Sequence, residues 1–435
     1  MCDESITKPL GCISIPVGKT SLYTCAERFH EHTQEPEKRL FEDEHAGVLA
    51  GEGGRALLKT MHQLHEGTRA QPINSSLVAR TMFLDAVVNR AVERGIRQIL
   101  VLAAGMDTRV FRLRLPQGID LWELDFAEVL QYKTEALRAA QSPAPTCNYT
   151  PVGVDLQTPD WEEKLVAKGF SKDKPSCVII EGLFIYLPIE DTENLFKKIA
   201  GLMAETSVLA GDWMTSSYLS SALTGPFRHV FASFDSAFAT GCDNVPALLS
   251  KQGLSSSVFS LGGDNVTRKC HRLTPNQLKL AAMYPTADAD GSWALPSVPR
   301  HFLFVGEKAA GGGFAQSFRC AGAGDECHSA EPAAKRPKAS EDQPTNVADC
   351  AQMIAKAAAS VLGIDYSSAL HTTDLTNIGL DSLLAVQLAE SLWCRLRNGK
   401  CCGLDTKDDY CRVVLMHTTP EAMAQFWVST TKTEQ

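Results

Sequence analysis

Short apolar runs separated by longer amphipathic stretches dominate the first 306 residues. Arg97–Leu102 (RQILVL), Asp120–Leu124 (DLWEL), Cys177–Ile180 (CVII) and His301–Val305 (HFLFV) are brief, apolar and bounded by turn formers, the pattern of strands buried on both faces. Thr81–Val92, Trp161–Ala167 and Asp191–Met203 repeat apolar residues at helical spacing, so each can cover one face of a sheet. Alternation of the two patterns from about residue 18 to 306 predicts an α/β, doubly wound fold built from βα units on a parallel sheet. The stretch Ser216–Leu261 mixes Ser, Phe, Ala and Gly with weaker periodicity and interrupts the late strands. A lid or substrate-binding insertion is expected there.

From Ala309 to about Asn346 the chain turns to Gly, Ala, Ser, Pro and charges. Such a segment buries too little apolar surface to offset its ordering entropy, so a mobile linker is expected. Its AAKRPKAS piece reads as solvated linker charge rather than a nuclear signal. Cys320, Cys327 and His328 have no fourth ligand at zinc-like spacing. Helical patterns then follow at Val347–Leu362, about Ser382–Arg397 and about Pro420–Val428. They predict a small all-α helical bundle. Thr419 before Pro420 is a good helix start, since the hydroxyl can cap orphan amides and Pro is tolerated in the first turn. The expected division is therefore 1–308, a linker at 309–346 and a bundle at 347–430.

With 435 residues, the chain has room for two or three domains. Its 44% hydrophobic and 21% charged residues are those of a globular protein. The formal charge of -9 argues against a nucleic-acid partner, which needs concentrated Lys and Arg. No apolar run approaches a bilayer span, and the start, MCDESITKPLGC, lacks the basic-then-apolar pattern of a secretory signal. The 14 cysteines have no repeated spacing, so reduced thiols in a cytoplasmic protein without a membrane partner are expected.

The segment ILVLAAGMDTRVFRL places an apolar strand directly before Ala103, Ala104 and Gly105, where a doubly wound sheet binds nucleotide-like ligands. Small residues there let a ligand approach the backbone. Asp125 ends the next strand, 20 residues after Gly105, a distance at which a carboxylate can accept ribose hydroxyls. The same pair also fits a tight strand-to-helix turn with no ligand.

Five ordered motifs add to this: ARTMFLD (Ala79–Asp85), LAAGMDTRVFRL (Leu102–Leu113), WELDFAEVLQYK (Trp122–Lys133), VDL (Val154–Leu156) and IIEGLFIYLP (Ile179–Pro188). Over roughly residues 18–308 the chain resembles the leucine carboxyl methyltransferase family and its polyketide O-methyltransferase relatives, which have a Rossmann-like class I sheet. The resemblance implies S-adenosylmethionine as cofactor. Under it Arg80 grips the donor carboxylate, Ala103 and Gly105 approach the donor, and Asp125 binds the ribose. Asp155 and Leu156 flank the adenine, and Glu181 faces the methionine amino group with Tyr186 close by. Ala103 stands where the family often has the first glycine of LGAG. His229 and His301 are possible bases, although a lone histidine is more often structural.

IGLDSLLAVQLAESL (Ile378–Leu392) opens an amphipathic helix on Asp381 and Ser382. As pattern alone this is a capping pair. The string GLDSL also resembles the phosphopantetheine site of acyl and peptidyl carrier proteins. That resemblance implies a 4'-phosphopantetheine arm on Ser382, a phosphopantetheinyl transferase as partner and cargo shared with a polyketide synthase or another carrier-dependent enzyme. CRLRNGKCCGLDTKDDYC (Cys394–Cys411) departs from the carrier pattern. The leading expectation is an O-methyltransferase acting on a carboxyl or hydroxyl group of a carrier-tethered or polyketide-type substrate. The alternatives are a protein carboxyl methyltransferase docked to a synthase, and a non-catalytic scaffold.

Overall fold

The computed structural model describes residues 16–66, 75–233, 235–273, 298–308, 313–319, 346–362, 364–378 and 407–431, with isolated positions at 278 and between 380 and 392. Ser382 and the Cys320, Cys327 and His328 group lie outside the described residues.

Seven strands form one sheet in the order β3-β2-β1-β4-β5-β7-β6. They are β1 Gln98–Leu102, β2 Asp120–Asp125, β3 Asn148–Gly153, β4 Ser176–Ile180, β5 Val208–Met214, β6 Leu254–Ser260 and β7 His301–Lys308. β1 to β5 pair in parallel, whereas β7 runs antiparallel to both β5 and β6. The expected all-parallel sheet is thus corrected at one edge. HFLFV reads as a buried strand in either direction, and only its partners decide which. The end of the expected insertion, LSSSVFS, belongs to the sheet as strand β6.

Side chains alternate across the sheet as strand geometry requires. Leu100, Leu102, Trp122, Leu124, Val178 and Ile180 enter one core layer beneath helices at Trp161–Ala167 and Ile189–Leu202. Ile99, Val101, Leu121, Cys177 and Ile179 enter the other. There they meet Val78, Phe83, Leu84, Val87 and Val88 of the helix Ser75–Glu93. That opposite layer also takes up Phe314, Ala315 and Phe318. Phe83 and Phe318 stand 5.1 Å apart, and Arg94 lies 5.0 Å over the Phe314 ring. The first part of the expected linker, Gly313–Arg319, is therefore core-bound. Two Phe spaced four apart on a helical turn bury together despite a Gly- and Ala-rich neighbourhood.

Two N-terminal helices that the apolar pattern did not announce, α1 (Pro16–His32) and α2 (Glu44–Glu66), pack on each other. They bury Cys25, Ala26, Leu49 and Ala50 against Val129 and Ala136 of the helix Ala127–Ala139. At the other end of the chain, helices at Val347–Leu362, Lys407–Met416 and Pro420–Thr431 share a core with Leu380, Leu388 and Leu392. The predicted cap is present: Ala422 N–H donates to Thr419 Oγ1 at 3.2 Å. This helical cluster touches the sheet domain, because it takes in Val298 and Leu415 C=O accepts from Ser221 Oγ at 3.1 Å. Among the described residues no helix is long and apolar enough to cross a membrane.

Candidate active site

The ladder itself assembles the site. Leu102 pairs with Leu124 and with Ile180, and Ile180 pairs with Gly211. The next residue of each strand, Ala103, Asp125, Glu181 and Asp212, therefore emerges in one row at the carboxyl edge. β1 and β4 flank the point where strand order reverses, the crevice in which open α/β sheets take ligands.

The turn after β1 is tightly wound. Ala103 and Gly105 have φ of 50° and 49°, left-handed values that glycine adopts without penalty. Gly105 N–H donates to Asp125 Oδ2 at 2.6 Å and Phe126 N–H to Oδ1 at 2.7 Å. Burial pushes the Asp125 carboxyl up, partly offset by those two amides. Each of its oxygens keeps a second lone pair. Val154 N–H bonds the Asp125 carbonyl at 2.8 Å, which brings Asp155 and half-buried Leu156 beside this turn. Asp155 Oδ1 accepts from Gln157 N–H at 2.9 Å.

Arg80 and Glu181 meet as the motif order suggested. Arg80 Nε lies 2.9 Å from Glu181 Oε1, and its Nη1 lies 3.0 Å from Asp212 Oδ2. Among the described residues nothing pairs with Nη2, so one arm of the fork is open. Glu181 also receives Arg109 Nη2 at 2.7 Å. Although burial opposes it, Arg109, Arg80 and Arg28 hold the Glu181 carboxyl far below the usual range. Asp212 is likewise lowered against burial, by Arg80 and His301. Tyr186, hydrogen-bonded to Thr20, is pushed up to about 12 by burial, so it is a neutral phenol. His229 is exposed on its helix.

Four contributors escaped the sequence reading. Asp212 lies inside the unannounced strand VLAGDWM and ties Arg80, Gly182 N–H at 2.7 Å and His301 Nε2 at 2.8 Å together. Asp85 and Arg109 sit inside the quoted motifs yet had no role. Asp85 binds Arg109 Nε at 2.8 Å and Arg112 Nη2 at 2.7 Å, and Asp107 also pairs with Arg109. Finally, α1 lies across the turn. Arg28 donates to the Met106 carbonyl at 2.5 Å and to Asp43 at 2.9 Å.

Comparison with known proteins bears on this geometry. The sequence profile of the leucine carboxyl methyltransferase family matches residues 21–200. A Mycobacteroides abscessus protein, assigned by name to the S-adenosyl-L-methionine-dependent methyltransferases, is 34% identical over 210 residues, covering 47% of this chain and 69% of its own. The chain belongs to the leucine carboxyl methyltransferase family. A Mycolicibacterium smegmatis member bearing the same assigned name is 36% identical over 207 residues, 46% of this chain and 67% of its own. A Parafrankia relative is 36% identical over 199 residues, 45% of this chain. The chain spans 63% of that relative's length, under two thirds. The family match takes in most of α1 and β1 to β4 but ends before β5, so Asp212, His301 and the C-terminal helices lie beyond it.

Proposed function

We propose that the chain transfers a methyl group from S-adenosylmethionine to an oxygen of its acceptor. The observation that carries this reading is the row Ala103, Asp125, Glu181 and Asp212 at the switch point, with Arg80 pinned across Glu181 and Asp212. The residues fit the donor. The open Nη2 of Arg80 suits a carboxylate, half-buried and ionised Glu181 suits an ammonium, and the free lone pairs of Asp125 suit two ribose hydroxyls. The left-handed turn at Ala103 and Gly105 supplies the close backbone approach. Asp155 and Leu156 follow the neighbouring strand, where an adenine would lie.

Bound there, the donor supplies an electrophilic methyl on a sulfonium. Transfer is an in-line displacement in which charge is lost, so the protein's main task is alignment. Arg80 and Glu181 hold one end, Asp125 and Asp155 the other, and the buried Arg109 and Asp85 pair keeps Glu181 from turning away.

Calorimetry should show donor binding that Asp125→Ala weakens by roughly 10- to 150-fold, the equivalent of a charge-assisted hydrogen bond of about 1.5–3 kcal/mol. Absence of binding by the native chain would overturn the reading.

The acceptor is read as a carboxyl or hydroxyl group of a carrier-tethered or polyketide-type substrate, with Ser382 bearing the 4'-phosphopantetheine arm. The GLDSL string and the helical core around Leu380, Leu388 and Leu392 support this. Intact-mass measurement after treatment with a phosphopantetheinyl transferase should show the arm on the native chain and none on Ser382→Ala; no gain on the native chain would sink the carrier reading.

A further inference from the structure

We infer that Asp212 and His301 form a general-base pair and that the acceptor group is therefore a hydroxyl on an apolar, aromatic-sized body. The inference rests on the methyl-transfer reading above and deepens it. His301 opens β7, opposite Met214 at the end of β5, which puts it at the same carboxyl edge as Glu181. Its side chain is 7% exposed and that of Asp212 3%. Nε2 of His301 lies 2.8 Å from Asp212 Oδ2, the oxygen that also takes Arg80 Nη1. His301 is thus one carboxylate away from the arginine assigned to the donor.

Asp212 is ionised, because Arg80 and His301 hold it low, so Nε2 carries the shared hydrogen. That leaves the Nδ1 lone pair, to which no described residue hydrogen-bonds. This is the arrangement in which a carboxylate orients an imidazole and stabilises its protonated form. A carboxylate acceptor is already ionised and would need no such pair; a hydroxyl would.

The walls agree with the substrate class. Segment 238–242 runs over this edge: Ala239 N–H bonds the Ile185 carbonyl at 2.7 Å, and Cys242 N–H bonds the Met214 carbonyl at 2.8 Å. It carries Phe238, whose ring stands 5.6 Å from Tyr186, 6.0 Å from Phe227 and 6.4 Å from Tyr218. All four rings are half-buried. A half-exposed aromatic rim beside a buried polar pair suits a flat apolar acceptor whose polar end points inward.

In the step, the acceptor oxygen bonds to the donor methyl carbon while its proton passes to His301 Nδ1. The carbon–sulfur bond breaks with its electron pair staying on sulfur. The products are a methyl ether, S-adenosylhomocysteine and an imidazolium held by Asp212, which returns its proton to water.

The test uses the full chain with labelled S-adenosylmethionine and two probes, 2-naphthol and 2-naphthoic acid. The native chain should methylate 2-naphthol. His301→Asn and His301→Gln should lower kcat by roughly 10²- to 10⁴-fold while KM and calorimetric affinity for S-adenosylhomocysteine stay within about threefold. Retained affinity with unchanged unfolding temperature shows that the variants are folded. Undiminished kcat in folded variants, methylation of 2-naphthoic acid alone, or methylation of neither probe by a chain that binds the donor would overturn the inference. Failure of the native chain to bind S-adenosylhomocysteine would instead overturn the methyltransferase reading beneath it.

Discussion

Replacing Arg109 by alanine would leave three acidic groups at the base of the site short of a partner. Its side chain is 3% exposed and its guanidinium reaches Asp85 at 2.8 Å, Glu181 at 2.7 Å and Asp107. The residues left behind are not equally stranded. Asp85 keeps Arg112 at 2.7 Å, Glu181 keeps Arg80 at 2.9 Å, and Asp107 keeps the residue-109 amide at 2.7 Å. Removing one partner of a buried ion pair costs about 3–5 kcal/mol. For a domain of this size that is a fall in Tm of roughly 6–20 °C. The pH dependence has a definite sign. Glu181 is depressed in the folded chain by Arg109, Arg80 and Arg28 against its burial, below its ordinary 4.5. Its stabilisation is present above that ordinary value and is lost as pH falls through the folded one. The gap between native and Arg109→Ala chains should therefore hold from pH 8 to 5 and shrink below about 4.5. Thermal unfolding followed by circular dichroism across that range is the assay. A fall under about 2 °C at pH 7, or a gap that widens in acid, would refute the reasoning.

Other expectations follow from the same coordinates. Gly105→Ala forces a left-handed φ on a Cβ residue, at roughly 1–2 kcal/mol, and sets that Cβ 2.9 Å from Ser21 Cβ; lower Tm and weaker donor binding should appear together, with partial recovery on adding Ser21→Gly. Phe314→Ala should cost about 3–5 kcal/mol, and a chain cut after Lys308 should melt lower than one cut after Arg319; equal melting would contradict the packing seen there. Lys133→Met strands Glu123, which is fully buried and bonded to Lys133 and Tyr149 at 2.6 Å each. Burial already raises the Glu123 carboxyl despite Lys133, and losing the lysine raises it further. Because a raised carboxyl favours the folded state only while protonated, the deficit of that variant should be largest near pH 8 and ease toward pH 5. Adding Glu123→Gln should restore most of the lost Tm at pH 8, and a double variant no better than the single one would count against the pairing.

Much of this protein was written locally. RQILVL, DLWEL and CVII announce buried strands because they are apolar on both faces, and a strand flanked by helices has no wet side. The turn LAAG and the acid of ELD lie together at the carboxyl edge of β1 and β2, and the ordered motifs singled out Arg80, Asp125 and Glu181, which the fold brings close to one another. What local pattern cannot carry is the partner of a residue. Antiparallel β7 has the same composition a parallel strand would have. Asp212 is a single acid inside an inconspicuous strand, and its value comes from facing Arg80 and His301, 132 and 89 residues away in the chain. Phe314 and Phe318 lay in a segment whose average composition said linker, but two large rings with a waiting hydrophobic face outweigh that average. Sequence by itself determined the α/β class and the tight turn after β1, since periodicity and turn chemistry act over a few residues. Only the tertiary structure decided strand direction at the sheet's edge, the domain boundary and the buried charge network, because ion pairs and core contacts depend on which distant residues the fold brings within a few ångströms.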